Sequence, residues 1–92
     1  MYYRIDSVVA LTAGTTAQTL PVRGLACLIH NNSDTASVYF KERRDDGEDV
    51  SALNGWVLGP GETSPLPLAV RDLSLAADAA DTDVRILLLE RE

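Results

Sequence analysis

One cysteine, one histidine and one lysine occur in the whole chain, and each scarcity excludes a class of chemistry. A lone Cys27 cannot close an intrachain disulfide or build a cysteine-based metal site. A lone His30, placed at the end of the run Leu28-Ile29-His30-Asn31-Asn32, has no evident partners for a catalytic triad or a metal site, so it reads as a half-exposed strand-end residue. Basic side chains number 8 against 14 acidic ones, a net charge of −6, and the seven arginines are scattered singly or as the pair Arg43-Arg44. Nucleic acid, which demands clustered cations, is the least expected partner. The five aromatics, Tyr2, Tyr3, Tyr39, Phe40 and Trp56, make no basic-aromatic stacking platform.

Long apolar runs are missing too. The longest aliphatic stretch, Ile86-Leu87-Leu88-Leu89, falls far short of the roughly 18 residues of a spanning helix, and the first residues hold no apolar core of signal-peptide length. Neither membrane insertion nor secretion is expected. No Gly-x-Ser-x-Gly elbow surrounds any serine, and no Gly-Lys-Ser/Thr phosphate loop occurs. Cys27, between Ala26 and Leu28, reads as a buried, unreactive thiol. Catalytic residues, cofactor and metal are therefore all expected to be none.

What is present is a small chain rich in short apolar runs: 92 residues, 46% of them hydrophobic, cut by Gly, Pro, Asn, Asp and Ser about every ten positions. One domain, residues 1–92, follows from the length, and the spacing is that of an all-β fold. Strands are expected at Arg4 to Leu11, Gln18 to Val22, Leu25 to Asn31, Ala36 to Glu42, Trp56 to Leu58, Ser64 to Val70, Leu73 to Ala77 and Asp83 to Arg91. The expected architecture is a small antiparallel β-sandwich or jelly-roll-like barrel of about eight short strands. Leu25, Cys27 and Ile29 share one face; Val38 and Phe40 oppose Ser37, Tyr39 and Lys41; Val84, Ile86 and Leu88 oppose Arg85, Leu87 and Leu89. The last strand turns apolar on both faces, which predicts a cover on each side, and another subunit is one candidate cover.

Turn chemistry divides the chain in the same places. Leu58-Gly59-Pro60-Gly61-Glu62 puts proline and glycine at the second and third places of a type II turn. Pro65 and Pro67, two apart, leave an extended segment able to pair on one side only, hence a sheet edge or a crossing segment, with Leu66 and Leu68 toward the core. Residues 45 to 55 are too polar for a strand and read as an exposed loop with one helical turn stopped at Gly55. Leu73 to Asp81 is alanine-rich enough for a short helix, but its alternating start favours a strand followed by a turn.

Two charge features call for a reading. Asp45, Asp46, Glu48 and Asp49 offer oxygens to a hard cation such as calcium, yet lack EF-hand spacing, and a solvated loop with local ion pairs to Arg43 and Arg44 is the simpler account. Asp78, Asp81 and Asp83 fit turn chemistry. Trp56 fits a core or interface anchor better than a sugar-stacking platform, and the adjacent Tyr2 and Tyr3 suggest a terminus docked on a body or a neighbour.

Taken in order, Leu28-Ile29-His30-Asn31-Asn32-Ser33, Val38-Tyr39-Phe40, Gly55-Trp56-Val57-Leu58-Gly59-Pro60-Gly61-Glu62, Leu73-Ser74-Leu75-Ala76-Ala77 and Thr82-Asp83-Val84-Arg85-Ile86-Leu87 form a layout that runs from residue 28 to residue 87. This layout resembles the small β-sandwich structural proteins of tailed bacteriophage virions. The resemblance implies a non-enzymatic part of the virion, assembled in the host cytoplasm: a capsid decoration or cement protein, or else a head-to-tail or tail component. The partners it implies are the major capsid protein or other virion proteins, together with homo-oligomerisation as a trimer or dimer. Tyr2, Tyr3, Trp56, Leu87 and Leu89 are the expected assembly interface, with the Asp45 to Asp49 loop pointing outward or bridging to a neighbour's arginine. Other readings are a carbohydrate- or receptor-binding module using Trp56 and the acidic loops, and an acidic inhibitor of a host protein.

Overall fold

The computed structural model describes residues 3–22, 25–43, 47–64, 68–69 and 71–91. Among these the chain forms eight strands: β1 (Tyr3–Ala13), β2 (Gln18–Pro21), β3 (Ala26–Asn31), β4 (Val38–Arg43), β5 (Trp56–Leu58), β6 (Leu68–Ala69), β7 (Asp72–Ala77) and β8 (Thr82–Arg91). They make two antiparallel sheets, ordered β1-β8-β3-β6 and β2-β7-β4-β5. First pairs with last, second with seventh, third with sixth and fourth with fifth, alternately in one sheet and the other. That nesting is the jelly-roll order, folded here into a two-layer sandwich of 36 × 32 × 18 Å. No helix is long and apolar enough to cross a membrane among the described residues.

Alternation decides what lies between the layers, because residues opposite one another on paired strands share a face. In the first sheet Cys27, Ile29 and Asn31 stand across from Leu88, Ile86 and Val84, and all six are buried. In the second, Val38 faces Ala77 and Leu58, and Phe40 faces Leu75, again buried. Ile29, Ile86, Leu73 and Leu75 are the largest of these, each contributing about 1.5–3 kcal/mol on burial.

The turns follow their local chemistry. Glu62 N donates to Gly59 O at 3.1 Å, and Gly61 has φ 76°, which completes the type II turn expected from Pro60-Gly61. The Glu62 carboxylate also accepts from Gly59 N, closing the turn a second time. After β3, Ser33 N donates to Asn31 Oδ1, and Ser33 Oγ accepts from Thr35 N and Ala36 N. These bonds, with Ala36 O taken by Asn31 Nδ2, use up Ala36 in the turn, so β4 starts at Val38 rather than Ala36. The alanine-rich stretch is strand then turn, with Asp81 at φ 57° and Asp78 Oδ1 accepting from Ser37 N.

Two expectations need refinement. Segment 47–55 does contain one helical turn ending at Gly55, since Gly55 N donates to Ser51 O at 3.1 Å. Yet it is no free loop: it lies back on the second sheet, where Val50 is buried and its N–H donates to Oγ of the fully buried Ser74 at 2.9 Å. Glu48 pairs with Lys41 (3.2 Å) and Asp49 with Arg43 (3.1 Å), so these two acids engage cations of their own chain. Asp45, Asp46 and Arg44 lie outside the described residues. Of the expected strand Ser64 to Val70, the described part is β6, an edge of the first sheet as expected of a proline-interrupted segment. Thr63 and Ser64 prolong its course along β3 through the His30–Thr63 bridge and a Ser64 N to Ile29 O bond; Pro65, Leu66 and Pro67 lie outside the described residues.

Candidate assembly surface

The outer side of the first sheet is set by the same pairing. Facing away from the core are Ile5, Leu89 and Ala26 in one row, Val8, Leu87 and Leu28 in the next, and Ala10, Arg85 and His30 in a third. Tyr3 and, opposite Asp83, Thr12 complete it along β1. A β-bulge at Asp6, between Ile5 and Ser7, makes this possible. The extra residue shifts the alternation, so that Ile5 faces out while Ser7, Val9 and Leu11 face in. Tyr3, Ile5 and Val8 are left 42%, 67% and 61% exposed.

This face has an apolar half and a polar half. In the polar half Arg85 grips Asp83 with two bonds, Nε to Oδ1 and Nη2 to Oδ2, both 3.1 Å, and Asn32 Nδ2 adds a third at 2.8 Å. The Arg85 hydrogen bond and then the Asn32 one hold the Asp83 carboxyl below the usual aspartate range; the same pairing raises the Arg85 guanidinium. His30 Nδ1 sits 2.7 Å from Thr63 Oγ1. In the apolar half the side chains of Ile5, Val8, Leu28 and Leu87 offer only dispersion and burial to a partner.

The residues expected at an interface divide between two places. Tyr3, Leu87 and Leu89 come together on this face, although Leu89 is buried within the chain itself and Leu87 half-buried, leaving Tyr3 as the open member. Tyr2 lies outside the described residues. Trp56 stands elsewhere, on edge strand β5 of the second sheet, 63% exposed beside Val57, so it is not a core residue. Ile5, Val8 and Leu28 belong to the apolar surface without having been expected there. The signal for the first two was a strand with apolar residues three apart, a break in period 2 that an inserted residue explains.

Cys27 is buried, and desolvation raises its thiol pKa. Among the described residues no three His, Cys, Asp or Glu side chains are grouped to hold a metal ion. A scan against protein-family models, a search of curated proteins and a search of solved structures each return no match.

Proposed function

We propose that this chain is a non-enzymatic structural part of a tailed-bacteriophage virion, a decoration or cement protein that binds the head shell and stabilises it. The observation that carries this reading is the apolar half of the outer face, where Tyr3, Ile5 and Val8 stand exposed in one strand against Leu28 and Leu87. A solvated antiparallel sheet normally presents polar side chains outward, and an apolar outer face is what docking onto a larger body would bury. The resemblance in turn layout supplies the kind of body, and the nested eight-strand order is one that viral shell proteins share with lectins. A domain of this size has about 5–14 kcal/mol of stability in all, so burial against a lattice would add substantially to it.

The test is co-sedimentation of the purified chain with heads of the encoding phage assembled without it, and separately with isolated tails. Saturable binding to heads, lost in the Ile5→Asp/Val8→Asp double variant, is the expected result. Binding to tails alone would move the role to a head-to-tail or tail part. Binding to neither rejects the virion role.

One observation favours a second reading. Trp56, exposed at the β5 edge, offers an indole face of the kind that stacks on sugar rings, as a carbohydrate-binding module would use. A glycan panel read by thermal shift tests it: a rise in melting temperature abolished by Trp56→Ala supports it, and no rise with any glycan rejects it.

A further inference from the structure

Among the described residues the sandwich has four sheet edges, and three of them are short. β5 has three residues, β2 has four and ends on Pro21, and the described part of β6 has two, following Pro65 and Pro67 in sequence. Short edges and edge prolines are how β proteins avoid pairing with other chains. β1 is different: eleven residues with no proline, glycine or lysine. Its bulge sits toward one end and leaves Ser7 to Ala13 in unbroken register with β8.

The backbone of β1 also has a determinable direction. Asp83 on β8 gives its carbonyl to Asn32 N at 3.0 Å, toward β3, so its partner Thr12 is in a pair that exchanges no bonds with β8. Accordingly Thr12 O turns to the other side, where Gln18 Nε2 donates to it at 3.0 Å. By the two-residue repeat, the N–H and C=O groups of Val8 and Ala10 point out of the same edge.

We propose that a second copy of this chain pairs along that edge, β1 antiparallel to β1 about a two-fold axis, so that one sheet of eight strands runs through both protomers. Charge permits this copy-to-copy contact: the chain carries −6 overall, but β1 holds one Arg4 and one Asp6, so identical strands meet without net repulsion. Area agrees as well. The flank of the sandwich measures at most 36 by 18 Å. That caps the contact at roughly 650 Å² per protomer, or about 1,300 Å² in total, a ceiling that reaches the range of stable specific interfaces. An antiparallel strand pair is self-complementary, as a two-fold interface requires. The dimer names one partner within the assembled-part reading and rests on it, and the experiment keeps the two apart.

The full-length chain is studied by sedimentation equilibrium from about 1 to 500 μM, beside Val8→Lys and Ala10→Pro, with circular dichroism to verify folding. Ala10→Pro removes an N–H that β8 does not use. The expected result is a concentration-dependent dimer in the parent chain, weakened at least tenfold by either substitution. Amide hydrogen exchange on the parent protein gives an answer even where a variant fails to fold. Val8 and Ala10 amides are expected to be slow in the concentrated sample and fast in the dilute one, with Val9 and Leu11 slow in both. A parent chain monomeric throughout, variants that dimerise unchanged, or Val8 and Ala10 amides fast at both concentrations would each overturn the proposal. A dimer that ignores phage heads removes the virion role alone; a monomer that binds them removes the dimer alone.

Discussion

Asn31 Nδ2 donates to the carbonyl of Leu58, 27 residues along the chain, at 3.1 Å, and does so from a fully buried position. The same amide reaches Ala36 O at 2.7 Å and Gly59 O at 3.0 Å, while the Asn31 backbone bonds Glu62 O and Gly61 N. One side chain thus joins the turn after β3 to the turn after β5, across the two sheets.

Removing that amide should be among the most damaging polar substitutions in the chain. Asn31→Ala leaves the carbonyls of Ala36, Leu58 and Gly59 without their donor, the first two in buried surroundings. A loss of about 2–4 kcal/mol is expected, since a buried unsatisfied group costs about 1–3 kcal/mol. Asn31→Asp should be no better, because a carboxylate would face carbonyl oxygens. Urea unfolding measures both; a change within about 0.5 kcal/mol would contradict the role given to Asn31.

Two glycines should respond in opposite ways to alanine. A Cβ on Gly55 would overlap the Val50 side chain and lie 3.2 Å from the backbone oxygens of Phe40 and Ser51, which cannot step aside. Gly55→Ala is expected to cost about 1–3 kcal/mol as overpacking does, and to loosen segment 47–55. At Gly14 nothing lies within 4 Å and φ is not positive, so Gly14→Ala should be neutral or stabilise by up to about 1 kcal/mol. Thermal melts of the pair, with the parent as reference, decide it.

The Asp83 carboxyl has its folded-state pKa lowered by Arg85 and Asn32. A lowered folded pKa means that the unfolded chain binds the proton more readily, so the group stabilises the fold above the unfolded aspartate value of about 3.9. That contribution fades as pH falls through the folded value. The stability difference between the parent and Asp83→Asn should therefore be constant from pH 7 down to about 5 and shrink in more acid solution. A difference that grows with acid would show the opposite sign of coupling.

Cys27 should be a reporter of unfolding. Burial raises its pKa and bars reagents, so a thiol-specific dye is expected to react in the native protein only as fast as the β3 region opens. Reaction should accelerate by orders of magnitude in denaturant. Rapid labelling under native conditions would mean that β3 is far more accessible than its packing implies.

Much of this fold was legible because its signals are local. Period 2 in Leu25 to Ile29 and Val84 to Leu88, and the Pro60-Gly61 turn, are written in neighbouring residues, and the structure follows them. Strand then turn at Asp72–Ala77 was legible from alternation despite its alanines. The bulge at Asp6 was not, because any small polar residue fits there and only the partner strand reveals the extra count. Plain alternation would turn Ile5 inward with Val9, and so miss the exposed row. The covering of Ser74 by Val50 and the reach of Asn31 depend on residues 24 and 27 apart, and no local pattern encodes such contacts. Asn31 reads in sequence as one more turn former.

The nested pairing also orders events in time. β4 and β5 are close in sequence and can meet early, whereas β1 waits for β8, about seventy residues later. At roughly 5–20 residues per second of synthesis, that interval is on the order of 4–14 s, during which the longest strand has no partner of its own. Refolding in vitro is expected in milliseconds to seconds, because the pair that closes the fold joins the most distant segments. A nascent chain built this way carries its longest edge unpaired for longest, and what it meets in those seconds shapes how much of it reaches the folded state.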